Sequence, residues 1–393
     1  MRKILPTVLI LVITFLFETP FAQGQPQWLQ YRSAREADRL LGDISTQILP
    51  LSPTTKPNGI LLPEFKDNEP LFACWTSTMT EKDGFRIALQ RSRKNGLYDS
   101  MLIDTNDNHS LKDDTEITTY RQDSYQTYFG PVKVIFKGDD GPITYHLNFE
   151  FYDRDDKKEL RVYSGGWYEG EINIAGQKKY CMLIDYNANG SFNDKSLDPR
   201  QCDRIRIGAK NNLEEKFVGK YLQVDQTLCQ LEISPDGAYI KSAPAVDVTY
   251  GKIRLPELII QFVVSGENGL FSFAPENAMV KLPVGQYRIL SWAKEQKDDN
   301  GMLWRLEGTG TGVEGDFIVN PTSETSLVVG ESIVAGLTVK KLNNSTYSFN
   351  QSLQGQLGET ITISRNNILP PPPKVRIHND DGSYDRTYTL EYG

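Results

Sequence analysis

The sequence contains few of the residue patterns that commonly carry catalysis. Its three histidines, His109, His146 and His378, lie outside HExxH and other zinc-binding spacings. It also lacks a GxSxG nucleophile elbow and a glycine-rich phosphate loop that opens a helix. These absences argue against metallohydrolases, serine hydrolases and nucleotide-binding enzymes, and they favour a non-enzymatic protein.

Clustered positive charge is also missing. The chain has 43 Lys and Arg residues against 51 Asp and Glu residues, which gives a net charge of −8 at pH 7. Nucleic acids and anionic lipids bind to dense patches of Lys and Arg, and the sequence shows no such block. We therefore expect no nucleic-acid partner.

The N-terminal apolar run is too short for a typical membrane-spanning helix, which needs roughly 18 residues or more. The run extends from Ile4 to Phe17, follows Arg2 and Lys3, and is followed by a small residue at Ala22. This arrangement predicts a secretory signal peptide over residues 1–22, with an uncleaved anchor as the less favoured alternative. We expect no membrane span after signal removal and a secreted, periplasmic or cell-surface location.

Strand patterns dominate the chain from about Ile60 onward. Short runs such as FRIALQRS, VKVIF and IRLPELIIQFVV alternate with turn signals such as KNG, SPDG and DDNG. Long helical patterns do not intervene, so the sequence predicts an all-β fold of tandem antiparallel, sandwich-like modules. One short amphipathic helix is predicted before them, from the spacing of apolar residues between Ala37 and Ile48.

A repeated stretch indicates that two of these modules are related. MLIDTNDNHSLKD begins at Met101 and MLIDYNANGSFND begins at Met182, and the two match at eight of thirteen positions. A candidate hairpin precedes each stretch, and a strand and a second hairpin follow it. The sequence therefore predicts two β modules of a size that is usual for domains, which can pack as one unit.

These patterns divide the chain into five parts. They are a signal peptide at 1–22, a helix and linker at 23–58, a first β module with a polar loop at 59–160, a second with a DxNxNG loop at 161–245, and a C-terminal β-sandwich region, of one or two subdomains, at 246–393. Pro370 to Pro373 form a stiff spacer in the last part. The hairpin after it is expected to pack against the preceding domain, since an isolated hairpin is marginally stable.

The four cysteines, Cys74, Cys181, Cys202 and Cys229, show no CxxC spacing. An even number in an exported chain makes disulfides plausible. The last three lie in the second repeat, which favours a bond from Cys181 to Cys202 or Cys229. Buried free thiols are the alternative, because free cysteine is commonly a core residue.

The second polar loop carries oxygen-bearing side chains at alternate positions. Asp185, Asn187 and Asn189 stand at positions 1, 3 and 5, followed by Gly190 and Ser191. This start resembles the DxNxNG calcium loops of EF-hand-like and dockerin-type proteins. The resemblance implies calcium as the bound ion, held by these three side chains, by the Ser191 carbonyl, and by a closing carboxylate from Asp194 or Asp198.

The first polar loop offers a similar set, which comprises Asp104, Asn106, Asn108, the Ser110 carbonyl and Asp113. It has His109 where the pattern prefers glycine, although His tolerates positive φ better than most residues. Both loops follow predicted strands rather than helices, and Ser196 stands where an EF-hand has its closing Glu. The competing interpretation is two polar turns, because Asp, Asn, Ser and Gly also favour turns for reasons of backbone hydrogen bonding.

Two functions are compatible with these observations. The first is a non-enzymatic, exported calcium-binding protein with a structural or binding role at the cell envelope and an unknown protein or glycan ligand. The alternative is a carbohydrate-binding or glycoside hydrolase-like protein, with Glu150 and Glu169 as candidate carboxylates. In that case sugar-stacking aromatic residues would come from a set of four tryptophans: Trp75, Trp167, Trp292 and Trp304.

Overall fold

The computed structural model describes residues 24–392 except 43, 53–58, 67, 81–83, 94–95, 107, 139–140, 155–156 and 344–345. The predicted signal peptide lies outside the described residues. Strands make up 57% of the structure and helices only 3%, and the strands form many antiparallel sheets. The prediction of an all-β, sandwich-like fold is therefore confirmed.

The N-terminal segment contains two short strands, one helical turn and a third strand. They are β1 (Gln27–Trp28), β2 (Gln30–Ser33), α1 (Ala37–Leu41) and β3 (Gln47–Leu49). The prediction of a helix that continues to Ile48 is wrong. Gly42 adopts a positive φ of 72° directly after Leu41 and ends the helix, and Ile48 lies in a strand with 59% of its surface exposed.

The first module consists of two sheets. Its strands in chain order are β4 (Leu71–Trp75), β5 (Phe85–Arg91), β6 (Tyr98–Ile103), β7 (Ile117–Thr118), β8 (Arg121–Gln122), β9 (Gln126–Gly138), β10 (Gly141–Arg154) and β11 (Lys157–Ser164). One sheet has the order β4-β5-β6-β7, and the other has the order β3-β11-β10-β9-β8.

The second module also consists of two sheets. Its strands are β12 (Gly166–Ile174), β13 (Gln177–Ile184), β14 (Arg204–Ala209), β15 (Asn212–Phe217), β16 (Tyr221–Val224), β17 (Thr227–Ile233) and β18 (Tyr239–Pro244), and a short 3-10 helix spans Pro199–Gln201. The sheet orders are β2-β12-β13-β14-β15 and β1-β18-β17-β16.

The two modules share one plan of strand pairing. In each, a hairpin, a polar loop and a further strand form one sheet, and a second hairpin with one more strand forms the other. A pair of N-terminal strands completes both copies: β3 pairs with β11 and β4 with β5 in the first module, while β1 pairs with β18 and β2 with β12 in the second. Residues 27–33 therefore complete the sheets of the second module.

The largest hydrophobic cluster extends through both modules. Trp75, Phe136 and Tyr145 of the first module contact one another, and Tyr145 also contacts Phe192 of the second module, with ring centroids 6.0 Å apart. Burial of such large aromatic side chains is among the strongest contributions to a protein core. The two modules consequently pack as one unit.

The C-terminal region has a second core. Its strands are β19 (Tyr250–Arg254), β20 (Ile259–Gly266), β21 (Gly269–Phe273), β22 (Met279–Pro283), β23 (Gly285–Lys297), β24 (Leu303–Thr309), β25 (Asp316–Val319), β26 (Glu324–Ser326), β27 (Val334–Lys341), β28 (Tyr347–Gln354) and β29 (Thr360–Arg365), with a 3-10 helix at Gly312–Gly315. A sheet of order β22-β19-β26 faces a larger sheet of order β21-β20-β23-β24-β29-β28-β27, and β25 also pairs with β23. Phe262, Tyr287 and Trp292 lie in the core between them.

Strands β30 (Lys374–His378) and β31 (Asp385–Thr389) form a hairpin at the C-terminus. The prediction that it packs against the preceding sandwich is wrong, because no residue from 374 to 392 is buried. The hairpin instead contacts the proline spacer, since the Tyr392 hydroxyl donates a hydrogen bond to the Pro370 carbonyl over 2.9 Å.

All four cysteines are free, so the predicted bond from Cys181 to Cys202 or Cys229 is wrong. Cys181 lies in β13 and Cys229 in β17, which belong to different sheets. The Cys202 thiol instead donates a hydrogen bond to the Ser196 carbonyl over 3.0 Å. The alternative of buried thiols is confirmed for these three residues, while Cys74 is partly buried.

A backbone contact connects the second module to the C-terminal sandwich. Lys220 donates its amide hydrogen to the Glu267 carbonyl over 2.8 Å, and Tyr221 donates to the Asn268 carbonyl over 3.0 Å. Gly219 permits this approach, because a Cβ atom there would lie 2.4 Å from the Cα of Gly269.

We predict that Gly219→Ala weakens this junction and destabilises the protein by about 1–3 kcal/mol, since neither backbone can move aside. Differential scanning calorimetry measures the effect. The control is Gly170→Ala, whose Cβ would approach a flexible Leu29 methyl group at 3.1 Å and would meet backbone atoms only at 3.7 Å or more, which is ordinary van der Waals contact. Equal melting temperatures for the two variants would contradict the prediction.

Candidate metal centre

The two polar loops begin at equivalent points of the two modules. Loop A, residues 104–116, starts where β6 ends, and loop B, residues 185–203, starts where β13 ends. The first residue of each loop is a buried Asp, with Asp104 at 1% exposure and Asp185 at 0%. The strand therefore fixes the backbone of the first residue of each candidate site.

The first Asp of each loop accepts hydrogen bonds from the same two backbone positions. Asp185 accepts from the amides of Asn189 at 3.3 Å and Gly190 at 2.7 Å. Asp104 accepts from the equivalent amides of Asn108 at 3.0 Å and His109 at 2.9 Å. These bonds curl both loops tightly around the carboxylate at position 1.

The two Asn residues of each loop also have equivalent partners. In loop B, Asn187 Oδ1 accepts from the Asn189 amide at 3.1 Å, and Asn189 Oδ1 accepts from the Ser191 amide at 2.9 Å.

In loop A, Asn106 Oδ1 accepts from the Asn108 amide at 3.1 Å, and Asn108 Oδ1 accepts from the Ser110 amide at 2.9 Å. The repeated sequence therefore corresponds to a repeated three-dimensional arrangement.

A further Asp, at position 10, joins both clusters. Asp194 Oδ2 accepts hydrogen bonds from the side-chain amides of Asn189 at 2.5 Å and Asn187 at 3.0 Å. The equivalent Asp113 Oδ2 accepts from the side-chain amide of Asn108 at 2.6 Å. Positions 1, 3, 5 and 10 thus form a linked set of side chains and backbone amides in each loop.

Asp198 does not join this set. It caps the 3-10 helix by accepting from the Arg200 amide at 3.0 Å, and it also pairs with the Arg200 guanidinium at 2.9 Å. Of the two predicted closing carboxylates of loop B, the geometry therefore favours Asp194. The two predicted serines, Ser191 and Ser110, are both buried. The Ser191 hydroxyl donates to Asn193, and the backbone of Ser110 pairs with that of Leu61 as an isolated β-bridge.

The first part of loop B, residues 185–192, packs into the junction between the modules. The Ala188 carbonyl accepts from the indole of Trp75 at 2.8 Å, and the Asn189 carbonyl accepts from the Ser77 hydroxyl at 2.6 Å. Loop A has fewer such contacts, and Asn108 and Asp113 at its tip are exposed. The two loops therefore have equivalent shapes in different surroundings.

Two residues of the loop B site were not among the sequence candidates. The Tyr145 hydroxyl donates to Asp185 over 2.7 Å. Asp203 is fully buried and accepts from the amides of Tyr186 at 3.0 Å and Asp194 at 2.8 Å. An acidic residue directly before β14, in which Arg and Ile alternate, was the available sequence signal for Asp203, whereas Tyr145 gave none.

Burial and mutual repulsion perturb the acids of loop B. Burial raises the pKa of Asp185 to about 7, and the nearby Asp194 contributes to this increase. The pKa of Asp203 is also raised well above its ordinary value, by burial and then by the charges of Asp185 and Asp194. The nearest residue of opposite charge in the chain is Arg204, which directly follows Asp203. Its guanidinium donates to the Pro199 carbonyl over 2.6 Å and forms an ion pair with Glu215.

Apart from the buried Asp104, the described acids of loop A are partly or fully exposed to solvent. Hydrogen bonds from Ser110 and Asn108 lower the pKa of the exposed Asp113. Burial raises the pKa of Asp114, which accepts a hydrogen bond from the Thr105 hydroxyl over 2.8 Å. Glu116 has a lowered pKa because of its bonds to Lys66 and Ser100.

The donor set of each loop suits a hard cation in its chemistry, since carboxylate and amide oxygens are the ligands that calcium prefers. Within the described ranges, no group of three or more His, Cys, Asp and Glu side chains is arranged to hold a metal. A cation would therefore depend on the Asn oxygens, which now accept backbone amides. Each amide oxygen has a second lone pair with which to bind an ion.

Comparison with known proteins gives no relative from which a function could be transferred. No protein-family model, curated protein or solved structure matches the chain. In the part of the chain that the structure describes, no helix has the length and hydropathy needed to span a membrane.

We predict that Asp185 makes the metal-free protein less stable as the pH rises from about 4 to about 7. In this range the folded protein retains a proton that the unfolded chain has lost, so the stability falls with pH and levels off above 7. The free energy of unfolding falls by up to about 4 kcal/mol, which corresponds to the rise of the Asp185 pKa from its ordinary value to about 7.

Thermal melts in EDTA at a series of pH values test this, with Asp185→Asn as the non-titrating reference. The stability of the wild type relative to the variant should fall across the range. A constant or rising difference would contradict the prediction.

We also predict that Gly190→Ala destabilises the protein by about 2–4 kcal/mol, from a positive φ and overpacking. Gly190 has a φ of 91°, and a Cβ atom there would lie 2.5 Å from Ser77 Oγ and 2.8 Å from the Phe136 ring. Urea unfolding measures the change. The equivalent position in loop A is His109, which has a φ of 62° and an exposed side chain, so His109→Ala should cost no more than about 1 kcal/mol.

Proposed function

We propose that the protein is a non-enzymatic, exported β protein in which calcium binds to both loops and stabilises the two-module unit. The observation that carries this proposal is the same hydrogen-bonded arrangement of positions 1, 3, 5 and 10 in both copies. In loop B the ion would be held by Asp185, Asn187, Asn189 and Asp194. In loop A it would be held by the matching residues, which are Asp104, Asn106, Asn108 and Asp113.

The electrostatics of loop B support the same proposal. Asp185 and Asp203 are fully buried, and in their ionised forms they repel each other and Asp194, which is one cause of their raised pKa values. A divalent cation supplies the positive charge that offsets such repulsion. Bound there, it would also hold the loop carbonyls against Trp75 and Ser77, which places its effect at the junction of the two modules.

A role at the cell envelope is consistent with these sites. Export, which the N-terminal sequence predicts, would place the loops among extracellular modules, whose calcium sites have dissociation constants of about 10⁻⁴ to 10⁻³ M. The candidate catalytic carboxylates give little support to a hydrolase. Glu150 is bound to Gln126 and Arg161, and Glu169 is bound to Trp167 and Arg32.

We predict that calcium raises the melting temperature relative to EDTA, because each occupied site adds about 2.7 kcal/mol to the free energy of unfolding at a hundredfold excess over its Kd. Isothermal titration calorimetry should detect two sites. Asp194→Asn should remove the loop B site and Asp113→Asn the loop A site, because each change removes the negative charge of a ligand. Each Asn keeps an acceptor oxygen, so the change is otherwise conservative.

The matched control for this experiment is Asp198→Asn. Its carboxylate lies in the same loop but is bound to Arg200, so the calcium response should be unchanged. Identical melting curves in calcium and EDTA would refute the proposal. A response that Asp113→Asn and Asp194→Asn leave intact would place the ion elsewhere.

A further inference from the structure

The C-terminal sandwich presents a polar face to solvent. Arg305 is paired with Ser364 and Glu307 with Thr362 across β24 and β29, so their side chains point to the same side of the sheet. Leu306 and Ile363, between them in sequence, pack against the core on the other side. We call the solvent side the polar face.

The polar face continues onto β28. Gln354 is paired with Thr360, and side chains two residues apart in a strand share one side of a sheet. Ser352 and Asn350 therefore extend the polar face along β28. The result is a row of hydroxyl and amide groups on β28 that begins next to Thr360.

A cavity of about 340 Å³ opens on this face between β24, β29 and the chain that follows β29. Asn366 and Asn367 have positive φ angles of 49° and 63°, and they reverse the chain so that Ile368 bridges to Arg365. The turn brings Asn367 and Leu369 to the rim of the cavity. Its volume lies at the small end of the usual range for ligand pockets, about 300–1,000 Å³.

The one positive charge at the cavity, on Arg305, is matched by two carboxylates. The Arg305 guanidinium donates to Glu307 over 2.6 Å, to Glu295 over 3.0 Å and to Gln261 over 3.3 Å. These bonds fix the plane of the guanidinium and leave no excess positive charge to attract a phosphate or another anion. The cavity therefore favours an uncharged ligand.

The remaining groups suit a ligand that carries many hydroxyls. The hydroxyls of Thr362 and Ser364 and the amide of Asn367 can each donate and accept hydrogen bonds. Leu369 is 65% exposed and offers an apolar wall beside them. Polar groups at fixed positions next to an apolar surface match a sugar ring, which has hydroxyls at its edge and C–H groups on its face.

We propose that this cavity binds one sugar unit of a neutral polysaccharide, and that the polar face along β28 contacts the units that follow. The site belongs to the C-terminal sandwich, which has its own hydrophobic core. Sugar binding is therefore independent of calcium in the two loops. It gives the exported protein a glycan partner without requiring catalysis.

Isothermal titration calorimetry with a panel of neutral oligosaccharides, such as gluco-, xylo-, manno- and chito-oligosaccharides, tests the proposal on the full chain. At least one member should bind, and with equal affinity in calcium and in EDTA. The double variant Thr362→Ala/Ser364→Ala should weaken its binding at least tenfold. Thr387→Ala, which changes an exposed threonine of β31 that belongs to neither the cavity nor the polar face, should change the affinity less than twofold.

A second variant separates loss of the site from loss of the fold. Leu369→Asp alters only an exposed side chain after the last sandwich strand, so the melting temperature should be unchanged while the affinity falls. No binding by any member of the panel overturns the proposal. Binding that both the double variant and Leu369→Asp leave unchanged overturns it as well.

Discussion

The arrangement of the two N-terminal modules depends on the anchoring of one buried carboxylate. Asp185 follows β13 directly, and its oxygens accept hydrogen bonds from Asn189, Gly190 and Tyr145. Because an unsatisfied buried charge is costly, these donors hold loop B in one conformation. That conformation directs the loop carbonyls toward Trp75 and its neighbours, and so connects the second module to the first.

Much of the fold was predictable because strand alternation and turn residues are local signals. They identified the β modules and the polar loops, and the repeated MLID stretches correspond to equivalent strands, β6 and β13. The pairings of the N-terminal segment were not predictable, since β1 and β2 join strands more than a hundred residues away. The length of the helix was overestimated because Leu40 and Ile44 continue the apolar spacing of a helix, whereas Gly42 between them ends it.

The candidate site shows the same division between local and distant information. The spacing of Asp185, Asn187 and Asn189 fixed their hydrogen bonds to the loop backbone, and the structure brings them together. The choice between Asp194 and Asp198 depended on the path of the chain through the 3-10 helix, which spacing alone does not reveal. Tyr145 was missed because it reaches Asp185 from another module, and such contacts leave no mark on the local sequence.

The difference between the loops follows from the tandem arrangement itself. Two modules in tandem share one junction, and loop B occupies it, so loop A faces solvent at its tip. At position 6 this places Gly190 against Ser77 and Phe136, where no side chain fits, while His109 has room for its ring. Packing therefore leaves no room at position 6 of loop B, whereas loop A is held by a backbone pairing with Leu61 and by the buried Leu111, and position 6 stays open to solvent.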